Sequence, residues 1–211
     1  MLSECKNILV LAPHTDDGEL GLGGSISKFI KQGKNVVYVA FSTADQSVPD
    51  GFPKDILSIE VKAATKKLGI KPENLLIYHY EVRKLNYVRQ EILEELVRIK
   101  KSCRFDLVFM PSLHDIHQDH TTVAQEGLRA FKNTTILGYE LIWNNLTFNT
   151  DCFIKLDAEY VQKKYEALQE YKSQGFRDYL SKEFIYSLAR ARGVQVGCEY
   201  AEAFEVVRLF L

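Results

Sequence analysis

Four of the five histidines in this 211-residue chain stand among aspartates, in two short runs about a hundred positions apart. The first run is His14-Thr15-Asp16-Asp17, and the second is His114-Asp115-Ile116-His117-Gln118-Asp119-His120. Imidazole nitrogen and carboxylate oxygen without thiolate suit zinc in an open, catalytic site better than in a closed structural one. His14, Asp17 and His120 make a ligand set of two imidazoles and one carboxylate with a position left for water, at metal distances of about 2.0–2.2 Å. Asp16, one residue from a ligand, is then close enough to take a proton from that water. His117, three residues before His120, is placed to polarise a carbonyl or hold an oxyanion. Asp119 or Asp115 orients an imidazole from its far side. Each group also has a structural reading. A His-x-Asp-Asp run after a strand serves elsewhere as a turn or helix cap. Asp115 and Asp119 can cap a helix starting near His120, and His79, isolated in YHYE, reads as a structural or surface residue.

Both runs follow apolar stretches. Residues 7–12 and 106–110 read as buried strands, joined by 36–42, 75–78 and 135–138. Helical periodicity occupies 24–32, 56–68, 87–101 and 122–131, and in the third of these Val88, Ile92, Leu96 and Ile99 recur at helical spacing. Such alternation predicts βαβ units and an α/β, Rossmann-like, mostly parallel sheet flanked by helices. Loops after parallel strands emerge on one edge, and strands one and four are often neighbours, so the two runs converge where open α/β sheets bind ligands. The glycine-rich stretch after Asp17 reads as a turn feeding an amphipathic helix that stops at Gly33. It does not fit G-x-G-x-x-G, because Ile26 stands where the third glycine belongs. Residues 42–54, with two prolines and a glycine, form a loop on the same edge and a candidate pocket wall. Beyond Gly138 the pattern changes to an irregular or antiparallel elaboration, followed by helices over 158–171 and 181–192 and a strand over 203–210.

No linker, repeat or low-complexity tract interrupts the chain, which reads as a single domain over residues 1–211. A net charge of −1 gives no electrostatic case for nucleic acid or an anionic membrane as partner. No apolar run reaches the roughly 18–20 residues of a membrane span, and the N-terminal apolar core is too short for a signal peptide. The expected compartment is the cytoplasm. Cys5, Cys103, Cys152 and Cys198 are widely spaced, which predicts reduced, mostly buried thiols and no zinc ribbon.

The run HTDDGELGLGG resembles the H-P-D-D-E-x-x-G motif of the PIG-L/LmbE-like family of zinc-dependent N-acetylglucosaminyl deacetylases. HDIHQDH is similar to that family's second motif, which ends in H-x-D-H. EVKAATKKLGI resembles its E-x-x-A-A-x-x-L-G helix, and YAEAF its terminal segment. The resemblance implies zinc, or another divalent transition metal, on His14, Asp17 and His120, with Asp16 as general base, His117 as electrostatic stabiliser, and a Rossmann-like fold. Thr15 stands in place of the motif's proline. Gly18 occupies the position of its glutamate, with Glu19 one place later, which bears on that glutamate's part in fixing the loop.

The implied chemistry is hydrolysis of an N-acetyl group on an amino sugar or sugar conjugate, with Asp16 accepting a proton and protonated His117 steadying the oxyanion. Arg83, Glu140 and Arg192 are candidate substrate contacts, beside the alternative of surface ion pairs. Tyr139, Trp143 and Phe148 serve as a sugar platform, as core, or as a contact between copies in a homo-oligomer. Rival readings are a metal-dependent phosphoesterase and a non-catalytic sugar or nucleotide module.

Overall fold

The computed structural model describes residues 4–210. Its organising strand is β1 (Asn7–His14), whose side chains alternate between two apolar clusters. Ile8, Val10 and Ala12 join one cluster, Leu9 and Leu11 the other, as a strand covered on both faces requires. The remaining strands are β2 (Asn35–Ser42), β3 (Leu75–Ile77), β4 (Leu107–Pro111), β5 (Thr135–Tyr139), β6 (Cys152–Leu156) and β7 (Tyr200–Arg208). They form one sheet in the order β3-β2-β1-β4-β5-β7-β6. The first five are mutually parallel, and β7 runs antiparallel to both β5 and β6. This is the expected Rossmann-like α/β sheet with an antiparallel C-terminal elaboration.

Six helices cover the sheet: α1 (Asp17–Lys31), α2 (Ile56–Leu68), α3 (Arg89–Ser102), α4 (Gln118–Ala130), α5 (Ala158–Leu168) and α6 (Lys182–Gln195). Phe29, Val61, Val161 and Ile185 bring α1, α2, α5 and α6 onto one face. Ile92, Leu96 and Val123 bring α3 and α4 onto the other. The periodicity of Ile92, Leu96 and Ile99 is thus the buried stripe of α3.

Several boundaries differ from expectation. The glycine-rich stretch is not a turn: α1 begins at Asp17, seven residues before the predicted start at Gly24. Its glycines are there for close packing. A Cβ on Gly18 would lie 2.5 Å from Tyr38 Cε2, and one on Gly21 would lie 2.4 Å from Tyr139 Cδ2. The helix kinks at Leu22 (φ −149°, ψ 27°). The backbone N–H groups of Gly24 and Ser25, just past the kink, donate to Glu202 at 3.1 and 2.7 Å, so a carboxylate from β7 caps the second half. Helix α4 starts at Gln118 rather than Thr122, because His117 supplies an N-cap. Strand β7 starts at Tyr200, not Ala203. The four cysteines are partly exposed rather than buried.

The packing at Gly21 sets the sign of a substitution there. Alanine gains roughly 1 kcal/mol of helix propensity, but its methyl meets a fully buried tyrosine ring, and overpacking of that kind costs about 1–3 kcal/mol. Gly21→Ala is therefore expected to lower the midpoint of denaturant unfolding. A raised midpoint would show that the Tyr139 ring has room to move.

Candidate active site

The strand order reverses between β1 and β4, which pair in parallel through Ile8↔Leu107, Leu9↔Val108 and Val10↔Phe109. His14 is the last residue of β1 and Asp17 the first of α1. Asp115 and His117 lie in the loop after β4, and Asp119 and His120 in the first turn of α4. The two histidine runs therefore meet at the carboxyl edge of neighbouring strands.

His14 Nδ1, Asp17 Oδ2 and His120 Nε2 form a nearly equilateral triangle. The sides are 3.2 Å (His14–Asp17), 3.3 Å (His120–Asp17) and 3.2 Å (His14–His120). Three ligands of a tetrahedral ion bonded at about 2.0–2.1 Å stand roughly 3.3–3.4 Å apart, so this donor set fits a small divalent cation. The imidazoles of His14, His117 and His120 also cluster, with one nitrogen of each within 4.8 Å of the others.

Hydrogen bonds behind the triangle decide which nitrogens are available. His120 Nδ1 lies 2.7 Å from Asp115 Oδ2, and His14 Nε2 lies 3.0 Å from Asp119 Oδ2. Each carboxylate takes the N–H of one ring, leaving the opposite nitrogen's lone pair facing the triangle. His117 is wired differently. Its Nδ1 accepts the backbone N–H of Asp119 at 3.1 Å, so the proton of the neutral ring resides on Nε2. Burial and the neighbouring His120 and His14 charges hold its pKa below the usual value. A protonated His117, as expected from the sequence, would have to give up this bond from the Asp119 N–H to Nδ1. The same wiring separates it from the two rings whose lone pairs face the triangle.

Electrostatics at the triangle favour positive charge. Burial alone would depress the imidazolium of His14, yet Asp17, with hydrogen bonds to Asp119 and Asp17, lifts it to about 9. His120 is raised in the same way to about 10 by Asp17 and Asp115. Asp17 stays ionised, well below the usual carboxylate range, because both imidazoles outweigh its burial.

Asp16 occupies the N-cap position of α1 but makes no side-chain capping bond, and its carboxylate lines the cavity beside the triangle. Burial and the adjacent Asp17 push it up to about 6. The loop between His14 and Asp16 is pinned from below. Thr15 O accepts the hydroxyls of Tyr38 at 2.9 Å and Tyr171 at 2.7 Å, and both hydroxyls also contact the buried Glu19 carboxyl. The position of the family motif's glutamate, Gly18, is left bare because the Tyr38 ring fills that space.

The cavity over these groups has a volume of about 350 Å³. Arg83 lines it, with Nη2 donating to Ser47 Oγ at 2.7 Å, and Ala44 and Ser47 bring the 42–54 loop to its wall. Glu140 and Arg192 are not brought there. They pair with each other at 3.0 Å and line a separate small cavity beside Lys164 and Glu202. Tyr139 is core, its hydroxyl donating to Leu11 O at 3.0 Å, whereas Trp143 lines the cavity and stacks on Tyr179 at 4.1 Å. Sequence reasoning missed Asn144, Gln174, Arg177 and Tyr179 on this wall. They sit in irregular segments with no periodicity to mark them. His79 is exposed, with Nδ1 3.1 Å from Thr43 Oγ1.

Fold and site together define a Rossmann-like α/β protein with a histidine–carboxylate cluster at its switch point whose donor spacing fits a metal ion. The family described as PIG-L, GlcNAc-PI de-N-acetylase, matches residues 9–131, and the chain belongs to that family. It is 25% identical over 229 residues to diacetylchitobiose deacetylase of Thermococcus kodakarensis, covering 97% of this chain and 84% of that protein. The solved structure of N,N'-diacetylchitobiose deacetylase from Pyrococcus horikoshii superposes with a TM-score of 0.80 at 21% identity, covering 98% of this chain and 85% of the other. GalB, the 4-carboxy-2-hydroxymuconate hydratase of Pseudomonas putida KT2440, superposes with a TM-score of 0.78 at 19% identity over 98% of each chain. A hydratase on this fold shows that the architecture alone does not select the reaction.

Because Asp115 and Asp119 each orient one ring, Asp115→Asn and Asp119→Asn are expected to weaken metal affinity about 10–100-fold, measured by competition with a chromophoric chelator. Unchanged affinity in both variants would show that packing alone sets the rings.

Proposed function

We propose that this chain is a metal-dependent N-deacetylase acting on an amino sugar or sugar conjugate, with His14, Asp17 and His120 as the metal ligands. The observation that carries this reading is the 3.2–3.3 Å donor triangle beside a carboxylate, Asp16, that caps nothing. Two imidazoles and one carboxylate favour zinc, with another divalent transition metal as the alternative. When bound, the cation lowers the pKa of water toward about 7 and polarises an acyl carbonyl.

The chain's own groups supply the rest. Asp16, raised toward the operating pH by burial and Asp17, takes the proton of the attacking water and returns one to the departing amine. His117 presents Nε2–H to the oxygen on which negative charge develops, a donor held in place by its bond to the α4 backbone. The Trp143–Tyr179 stack and Arg83 form a wall suited to a sugar ring. The named activity of the Thermococcus relative, at 25% identity over nearly the whole chain, supports deacetylation over hydration. Among the described residues no helix is long and apolar enough to cross a membrane. The cysteines form no disulfide, and we assign the enzyme to the cytoplasm.

Acetate release from N-acetylglucosamine and diacetylchitobiose, with and without chelator, tests the reaction. Asp16→Asn is expected to keep its metal and lose about 10²–10⁴ in kcat. Full turnover by the metal-replete variant would refute the base assignment. His117→Ala is expected to lose about 10²–10³ in kcat with KM little changed. A rise in KM alone would make His117 a binding group instead.

A further inference from the structure

The segment between α5 and α6 is built to hold one arginine at the cavity. Ser173, almost fully buried, donates its backbone N–H and its hydroxyl to the two carboxylate oxygens of Glu60 on α2, at 2.8 and 2.6 Å. Gln174 Nε2 donates to Ser173 Oγ at 3.2 Å, and Arg177 Nε donates to Gln174 Oε1 at 2.8 Å. The guanidinium plane lies over the rings of Phe176 and Tyr179, 5.1 and 5.6 Å from their centroids. Arg177 and Arg83 are the two guanidinium groups lining the catalytic cavity. Neither makes an ion pair among the described residues, whereas Arg89, Arg98, Arg129 and Arg192 each hold a glutamate. A chain of bonds that ends on a half-buried cation making no close ion pair, its charge felt by the Asp16 carboxylate on the same cavity, has immobilised a binding group in advance of its ligand.

Resting on the deacetylase reading, we infer that Arg177 is the specificity-determining residue of this site and that the substrate carries an anionic group, a phosphate or a carboxylate, beyond its N-acetyl sugar. Arg83, at the same cavity, assists. Planar guanidinium groups match the oxygens of either anion, and the Glu60–Ser173–Gln174 relay positions the fork without neutralising it. The carboxylates lining the cavity are Asp16 and Asp17, which stand at the reacting end.

The experiment uses the metal-loaded enzyme and three sugars: N-acetylglucosamine, N-acetylglucosamine 1-phosphate and N-acetylmuramic acid. The wild type is expected to favour one of the two anionic sugars by about tenfold or more in kcat/KM, as loss of one charged hydrogen bond implies; the preferred sugar identifies the anion. Arg177→Met is expected to abolish that preference, lowering kcat/KM on the preferred anionic sugar about tenfold more than on the neutral one, with Arg177→Lys recovering part of it. Calorimetric binding of glucosamine and glucosamine 1-phosphate gives a readout independent of turnover. Equal use of all three sugars overturns the inference. So does an Arg177→Met variant that loses turnover on the neutral sugar as much as on the anionic ones, which would make Arg177 a partner of Asp16. If no sugar is deacetylated but glucosamine 1-phosphate binds in an Arg177-dependent way, the hydrolase reading falls and the anion site stands.

Discussion

The structure depends on how buried carboxylates at one sheet edge are compensated. Asp17, Asp115 and Asp119 are each no more than about a twentieth exposed, and every one of them contacts the ring of His14 or His120. Unpaired, such charges would oppose folding by several kcal/mol apiece. Without a metal, the compensation is two protons, which is why both imidazoles are held as cations well above their ordinary range. One divalent ion brings the same +2 charge as those two protons and addresses the same nitrogen lone pairs. Exchange between the two states therefore leaves the net charge of the cluster unchanged.

That geometry is anchored from a distance. The C-terminal third of the chain, beyond the residues matched by the family, supplies several of the ties. Glu205 on β7 accepts Ser112 Oγ at 2.8 Å and Leu113 N–H at 3.2 Å, fixing the start of the loop that carries Asp115 and His117. Glu202, three residues earlier on the same strand and paired with Lys164 at 2.8 Å, caps the kinked half of α1. Tyr171 bonds the carbonyl between His14 and Asp16. The antiparallel strands at the sheet edge thus set the position of loops that emerge from its parallel centre.

Much of this was legible in the residues. The unbroken apolar run of residues 8–12 and the helical spacing of Ile92, Leu96 and Ile99 report burial directly, and burial is what the fold is made of. The convergence of the two histidine runs was legible because the parallel topology brings post-strand loops together. The start of α1 was misread because glycine signals a turn by its backbone freedom, whereas Gly18 and Gly21 are present because Tyr38 and Tyr139 leave no room for a methyl. That reason lies in residues 20 and more than a hundred positions away. Glu140 and Arg192 are correct as charged residues and misplaced as substrate contacts, since they satisfy each other. Arg177 was invisible because what marks it is its place on the cavity wall without a close ion pair, a property of the folded molecule alone.

Asp119 joins the chemistry to substrate recognition. Its carboxylate takes the His14 ring at 3.0 Å, the backbone N–H of Arg83 at 2.6 Å and that of Leu85 at 3.2 Å. Arg83 sits at φ 67°, a left-handed conformation that a non-glycine residue adopts only at a cost of about 1–3 kcal/mol. Two N–H bonds to an ionised acceptor offset that cost, so the strained turn and the ligand orientation stand or fall together. A cavity whose arginine-bearing wall is held by the same carboxylate that orients the His14 ring is one in which that wall and the His14–Asp17–His120 triangle are mechanically coupled. The coupling runs through a single side chain, and it explains why Arg83 lies at the site although its own segment has no regular structure to place it there.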